Sequence, residues 1–161
     1  MQGNIAEASK YYQFFINQGF KDHRIFLNSG EILKDLGRLD EAEIWIRRAI
    51  SIKPDYVIAH NNLGNILRAN NKLKEAESCY CKAIELNPDF TKAYYNLSTL
   101  TSTDENKIWQ KKLFSENFLK NKSKNDQFNI FFARANILHK KKNYKESAKC
   151  LKLANQLKIL I

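Results

Sequence analysis

Apolar and small side chains in residues 57–90 fall into two stripes of helical period. Ala59, Leu63, Gly64, Ile66 and Leu67 share one face of a helix predicted over 57–70. Ala76, Tyr80, Ala83, Ile84 and Leu86 share one face of a second helix over 74–87. The polar Asn70-Asn71-Lys72 between them predicts a turn. Pro88, which lacks an amide donor and restricts the residue before it, closes the second helix. The pattern recurs 34 residues earlier without a gap. Residues 23–56 match 57–90 identically at twelve positions, among them Asn28/Asn62, Gly30/Gly64, Leu33/Leu67, Ala42/Ala76, Ala49/Ala83 and Pro54/Pro88. A fixed period of this length predicts stacked helical hairpins, each too small to bury its apolar face alone. Small residues at Gly30/Gly64 and Ala42/Ala76 predict close helix approach within each hairpin.

The rest of the chain follows the period less strictly. Residues 1–22 match only the second half of a unit, with Ala8, Tyr12 and Phe15 on the packing stripe. Residues 91–101 begin a third unit (Ala93, Tyr94, Leu97, Ser98) that then breaks off. Ser102-Thr103-Asp104-Glu105 has the form of a capping box. It predicts a helix running to about Lys120, with Ile108, Trp109, Leu113, Phe114 and Phe118 turned inward, and a polar loop over 121–125. Residues 128–161 return to a degenerate unit on Ala135, Leu138, Tyr144, Ser147, Leu151 and Ala154. The expectation is one all-α domain over 1–161, an α-α superhelix divided into 1–22, 23–56, 57–90, 91–127 and 128–161. The segment 102–127 is an irregular insert packed on it. Terminal repeats of a solenoid normally turn a polar face outward. This chain begins inside a repeat and ends on Leu157-Lys158-Ile159-Leu160-Ile161, so the native protein is expected to continue, and the apolar ends suit self-association between copies.

Charge divides the chain. Residues 1–106 carry 13 basic and 14 acidic side chains, and residues 107–161 carry 14 basic and 3 acidic. The last third, with Lys140-Lys141-Lys142, Lys145 and Lys149, reads as a solvated lysine face. The same charges would also suit nucleic acid or another polyanion, but the nearby aromatics Trp109, Phe131 and Phe132 sit at helical spacing and read as core. No apolar run is long enough for a membrane span, and residues 1–10 lack a signal layout. Three cysteines without such a signal point to reduced thiols in a cytoplasm. Cys79-x-Cys81 falls short of a zinc site, and Cys79 and Cys150 read as small packing residues. The three histidines, His23, His60 and His139, are scattered. With no glycine after Gly64 and no Ser-His-Asp or metal pattern, no catalytic, cofactor or metal site is expected.

The sequence of Leu63, Gly64, Leu67, Ala76, Tyr80, Ala83 and Pro88, with Gly30, Leu33, Ala42, Ile46, Ala49 and Pro54 before it, resembles the tetratricopeptide repeat. His60 and Ser29 depart from that pattern, which prefers an aromatic and a leucine there; His60 takes the aromatic packing position. The resemblance implies a scaffold whose first helices line a concave groove that binds a protein or an extended peptide. Asn28, Asn62 and Asn96, spaced 34 and 34, would then form a row along the groove. An amide side chain both donates and accepts, so it can pair with a peptide backbone without reading its sequence. Similar asparagine rows hold peptides in the repeats of O-linked N-acetylglucosamine transferase. Asn61, Asn65, Glu31, Lys92, Tyr95 and Thr99 would flank the row. The carboxylate clamp of chaperone-adaptor repeats is matched at only two of its five places, for example Asn62 and Lys92, which argues against that partner class. Regular repeats followed by ENKIWQKKLFSENFLKN and FARANILHKKKNYKESAKCLKLANQLK resemble the N-terminal part of bacterial fusions between such repeats and a sulfotransferase. That resemblance implies a recognition arm whose catalytic domain lies beyond Ile161.

Overall fold

Three helical hairpins turn through the same local structure. Gly37, Asn71 and Lys142 each adopt a left-handed conformation, with φ of 76°, 60° and 60°. In each hairpin the amide of that residue bonds back to the carbonyl three residues earlier. The next amide reaches five back: Arg38 to Leu33 (2.9 Å), Lys72 to Leu67 (2.8 Å) and Asn143 to Leu138 (2.9 Å). This is the Schellman closure, which satisfies carbonyls that the helix end would leave orphaned.

The computed structural model describes residues 10, 14, 17–19, 21–100 and 108–158. The stripe residues Ala8, Tyr12 and Phe15 and the capping box at 102–105 lie outside them. Among the described residues every regular element is helical. The chain divides into two compact units, at Leu86/Asn87. The first contains α1 (His23–Asp35), α2 (Leu39–Ile52), α3 (Val57–Ala69) and α4 (Leu73–Leu86). The second contains α5 (Thr91–Thr99), α6 (Ile108–Phe114), a 3-10 turn (Glu116–Leu119), α7 (Lys124–Lys140) and α8 (Tyr144–Lys158).

In the first unit α1 pairs with α2, α3 with α4, and α2 also packs on α3. The pairings depend on two glycines. A Cβ on Gly64 would lie 2.5 Å from Cε1 of Tyr80, and one on Gly30 would lie 2.5 Å from Cγ1 of Ile46. Tyr80 and Ile46 are fully buried, as are Ala42 and Ala76, so neither large side chain has room to retreat. Across the outer side, the Glu43 carboxylate bridges Arg47 (2.8 Å) and Lys72 (2.9 Å), and Arg47 also reaches Glu75 (3.3 Å). Burial opposes ionisation of Glu43, but hydrogen bonds from Lys72 and Arg47 outweigh it and lower its pKa. These pairs are partly exposed and add little to the apolar contact between hairpins.

In the second unit α5 lies directly against α7. Thr91 donates to Asp126 (2.6 Å) and accepts from Asn129 (3.1 Å), and Asn136 donates to Ser98 (3.0 Å). The Lys140 ammonium bonds the Ser98 and Leu100 carbonyls at the end of α5. Ser123 caps α7, accepting from the Asp126 amide (3.1 Å). α7 and α8 form the third hairpin, where the Ser147 hydroxyl donates to the Ala135 carbonyl (2.9 Å).

The single inward-facing helix expected to end near Lys120 is corrected. α6 stops at Phe114, Ser115 is extended (φ −67°, ψ 143°), and a 3-10 turn follows. Arg134 donates across the break, to the Leu113 carbonyl (2.8 Å) and the Ser115 carbonyl (3.0 Å). Leu113 and Phe118 are buried as expected, with Phe118 5.0 Å from the Tyr94 ring, but Ile108 is 85% exposed and Phe114 39%. Phe114 instead lies beneath the Arg134 guanidinium, 5.8 Å away. In the last hairpin Ala135, Ser147 and Ala154 are buried, whereas Tyr144 and Leu151 are exposed.

Gly64→Ala is expected to lower stability by about 1–3 kcal/mol, as overpacking does in a dense core. Urea unfolding checks it. Lys142→Gly relieves a left-handed backbone and is expected to raise stability by ~1 kcal/mol in the same measurement.

Candidate peptide-binding faces

The sequence-predicted site residues divide between the two units. In the first, Asn28 and Glu31 sit one turn apart on α1, and Asn61, Asn62 and Asn65 sit on α3. The Asn62 amide donates to the Glu31 carboxylate (2.5 Å) and accepts from the Asn61 amide (3.4 Å). That bond brings the first helices of adjacent hairpins together at Glu31 and Asn62. Asn61 is buried and Asn28 half-buried. Asn65 is directed to the hairpin partner, where its carbonyl oxygen accepts from the Tyr80 hydroxyl (2.9 Å). Burial pushes the Tyr80 phenol up to about 12, so this donor stays protonated.

In the second unit Lys92, Tyr95, Asn96 and Thr99 lie on α5. Lys92 is exposed, Asn96 is buried, and the Thr99 hydroxyl donates to the Asn96 carbonyl (2.6 Å). The half-buried Tyr95 ring stands 4.9 Å from Phe132 and 6.3 Å from Phe128 of α7, and those two rings are 5.9 Å apart. Sequence reasoning missed this platform, because it placed Phe132 in the core and did not pair α5 with α7. Counting back from the left-handed turn, Ala133 takes the place on α7 that Asn62 takes on α3, and it is fully buried. The amide series therefore does not extend to α7.

His60 does more than fill an aromatic packing position. Its Nε2 bonds the Pro54 carbonyl (2.8 Å), and since a carbonyl only accepts, that nitrogen carries the proton. Tyr94, one period later, donates its hydroxyl to the Pro88 carbonyl (3.0 Å). The two residue types make the same bond in the two units, and the 34-residue spacing of both pairs is the signal that could have revealed it.

Burial pushes the Cys79 thiol up to about 11 and raises those of Cys81 and Cys150. Such thiols are poor nucleophiles. Among the described residues no His, Cys, Asp and Glu cluster could hold a metal, and no helix is long and apolar enough to cross a membrane.

Stacked helical hairpins with polar and aromatic side chains on their first helices define an all-α repeat protein built for contact. One family model described as tetratricopeptide repeat matches residues 57–90, and a second of the same description matches 23–56 and 128–158. Together they cover more than half of the chain, which belongs to the tetratricopeptide-repeat family. Residues 91–127, which include α5 and α6, fall outside both matches. Among solved structures, MamA 41-end from Desulfovibrio magneticus RS-1 is similar at a TM-score of 0.69 and 18% identity, covering 98% of this chain and 87% of that one. A MamA double mutant from RS-1 gives 0.67 and 18%, covering 96% and 85%. A mutant O-GlcNAc transferase from Thermobaculum terrenum gives 0.56 and 23%, covering 60% of this chain and 18% of that one. No curated protein matches.

Proposed function

We propose that the chain is a non-catalytic scaffold that binds proteins or extended peptides on the first-helix faces of its repeats. The observation that carries this reading is the Asn62 amide, held between Glu31 and Asn61 on the face that α1 and α3 share. A peptide backbone offers the same donors and acceptors, so an incoming strand exchanges hydrogen bonds with this group at little net cost. Asn28, Asn61 and Asn65 flank it in the first unit. In the second unit Asn96, Lys92 and Thr99 accompany the Tyr95 platform, which supplies apolar surface for a side chain. Membership of the tetratricopeptide-repeat family supports an interaction role.

The finer assignment, a recognition arm of a bacterial sulfotransferase, is supported by the sequence layout of α6 to α8. None of the relatives above is a sulfotransferase. A native gene product much larger than this chain, with sulfonate-transfer activity, is the expected outcome of that reading; one of this chain's own size contradicts it.

Peptides selected from a displayed random library test the scaffold reading. Asn62→Ala is expected to weaken their binding about tenfold, the worth of a lost hydrogen-bonding group, with the protein still folded in urea unfolding and its stability lowered by about 1 kcal/mol. N-methylation of the peptide backbone should weaken binding comparably, and side-chain changes less. Unchanged binding to Asn62→Ala contradicts the proposal, and a steep fall in affinity with salt would instead mark the lysine-rich surface as a polyanion site.

A further inference from the structure

The segment between α5 and α7 carries a surface unrelated to the first-helix faces. Phe118 is buried in the 3-10 turn, and the ammonium groups of Lys112 and Lys122 each stand 5.3 Å from its ring centroid. The same two ammonium groups each lie 3.2 Å from the Asp89 carboxylate. Their hydrogen bonds, from Lys122 first and then Lys112, hold Asp89 below the usual carboxylate range. With Asn117 and Lys120 these residues line an open cavity of about 260 Å³. Lys122 is the most enclosed of the charged groups, its side chain 17% exposed. Lys120 makes no ion pair among the described residues. Three lysines and one aspartate thus line the cavity, and its lining carries a formal excess of two positive charges.

We infer that this cavity binds a phosphomonoester group. A phosphomonoester carries about −1.5 to −2 charges at neutral pH, which matches the formal excess, whereas a carboxylate neutralises only half of it. The cavity falls below the roughly 300–1,000 Å³ of pockets for drug-sized ligands, so it admits one charged group and not a whole large molecule. Lys120 and Asn117 line the cavity and are the residues whose side chains can add N–H donors. The Ser115 hydroxyl already donates to the Lys112 carbonyl (2.8 Å) and is not among them. Phe118 fixes Lys112 and Lys122 by holding both ammonium groups against its ring. Asp89 is the internal competitor, an exposed carboxylate resting where a ligand oxygen would sit.

Calorimetric titration of the full chain with O-phospho-L-serine and inorganic phosphate, with acetate as control, tests the inference. Saturable binding of the phosphate probes and weaker binding of acetate are expected. Lys120→Gln should weaken phosphoserine binding about tenfold, as loss of a charge-assisted hydrogen bond does. Asp89→Asn should tighten it by removing the competitor, with circular dichroism unchanged in both variants. A preference for phosphoserine would identify a group carried on another molecule, and equal binding of inorganic phosphate a free anion; either supports the site. Absence of saturable binding, acetate binding as tightly, or insensitivity to Lys120→Gln overturns it.

Discussion

Close contact between the two helices of each hairpin is the constraint on which the rest of the first unit depends. At Gly64 the α3 backbone approaches the Tyr80 ring so nearly that even a methyl group would collide with it, and Gly30 stands in the same relation to Ile46. The approach buries both large side chains completely. It also sets Tyr80 beneath Asn65, so that the phenol meets the amide. With the hairpins fixed internally, α2 packs on α3 and leaves Glu31 and Asn62 opposed on the first helices. The polar face is thus a consequence of packing on its other side.

The second unit solves the same problem differently. Where the first uses glycine, α5 has Ser98 and α7 has Ala135, both buried. The Ser98 hydroxyl turns back onto the Tyr95 carbonyl (2.7 Å) while accepting from Asn136, so a polar group in the core is satisfied and not exposed. α6 ends at Phe114, and α5 packs directly on α7. Two first helices then lie side by side, which brings Tyr95, Phe128 and Phe132 together. The contact between α5 and α7 thus carries an aromatic cluster of its own.

Much of this was legible in the sequence, for physical reasons that can be named. The 34-residue period, the helical stripes and the small residues at Gly30 and Gly64 are local or strictly periodic, so volume and spacing alone predict the hairpins. The engagement of Asn62 by Glu31 was not legible, since it depends on the register of two helices from different hairpins. Ile108 and Phe114 misled because an apolar residue at helical spacing was assigned to the core. Both lie within α6, where Leu113 is the fully buried residue and these two are left exposed. The convergence of Asp89, Lys112 and Lys122 was hidden because it forms only when the insert folds back over the Asn87-Pro88-Asp89 turn. His60 and Tyr94 were readable in principle, as two proton donors each six residues after a proline.

The most direct test of the account is to map a library-selected peptide on the isotope-labelled chain by nuclear magnetic resonance. The account predicts amide shift changes concentrated on the first helices, at Asn28, Glu31, Asn61 and Asn62 and around Tyr95. Changes confined to the second helices α2, α4 and α8, with α1 and α3 undisturbed, would contradict it.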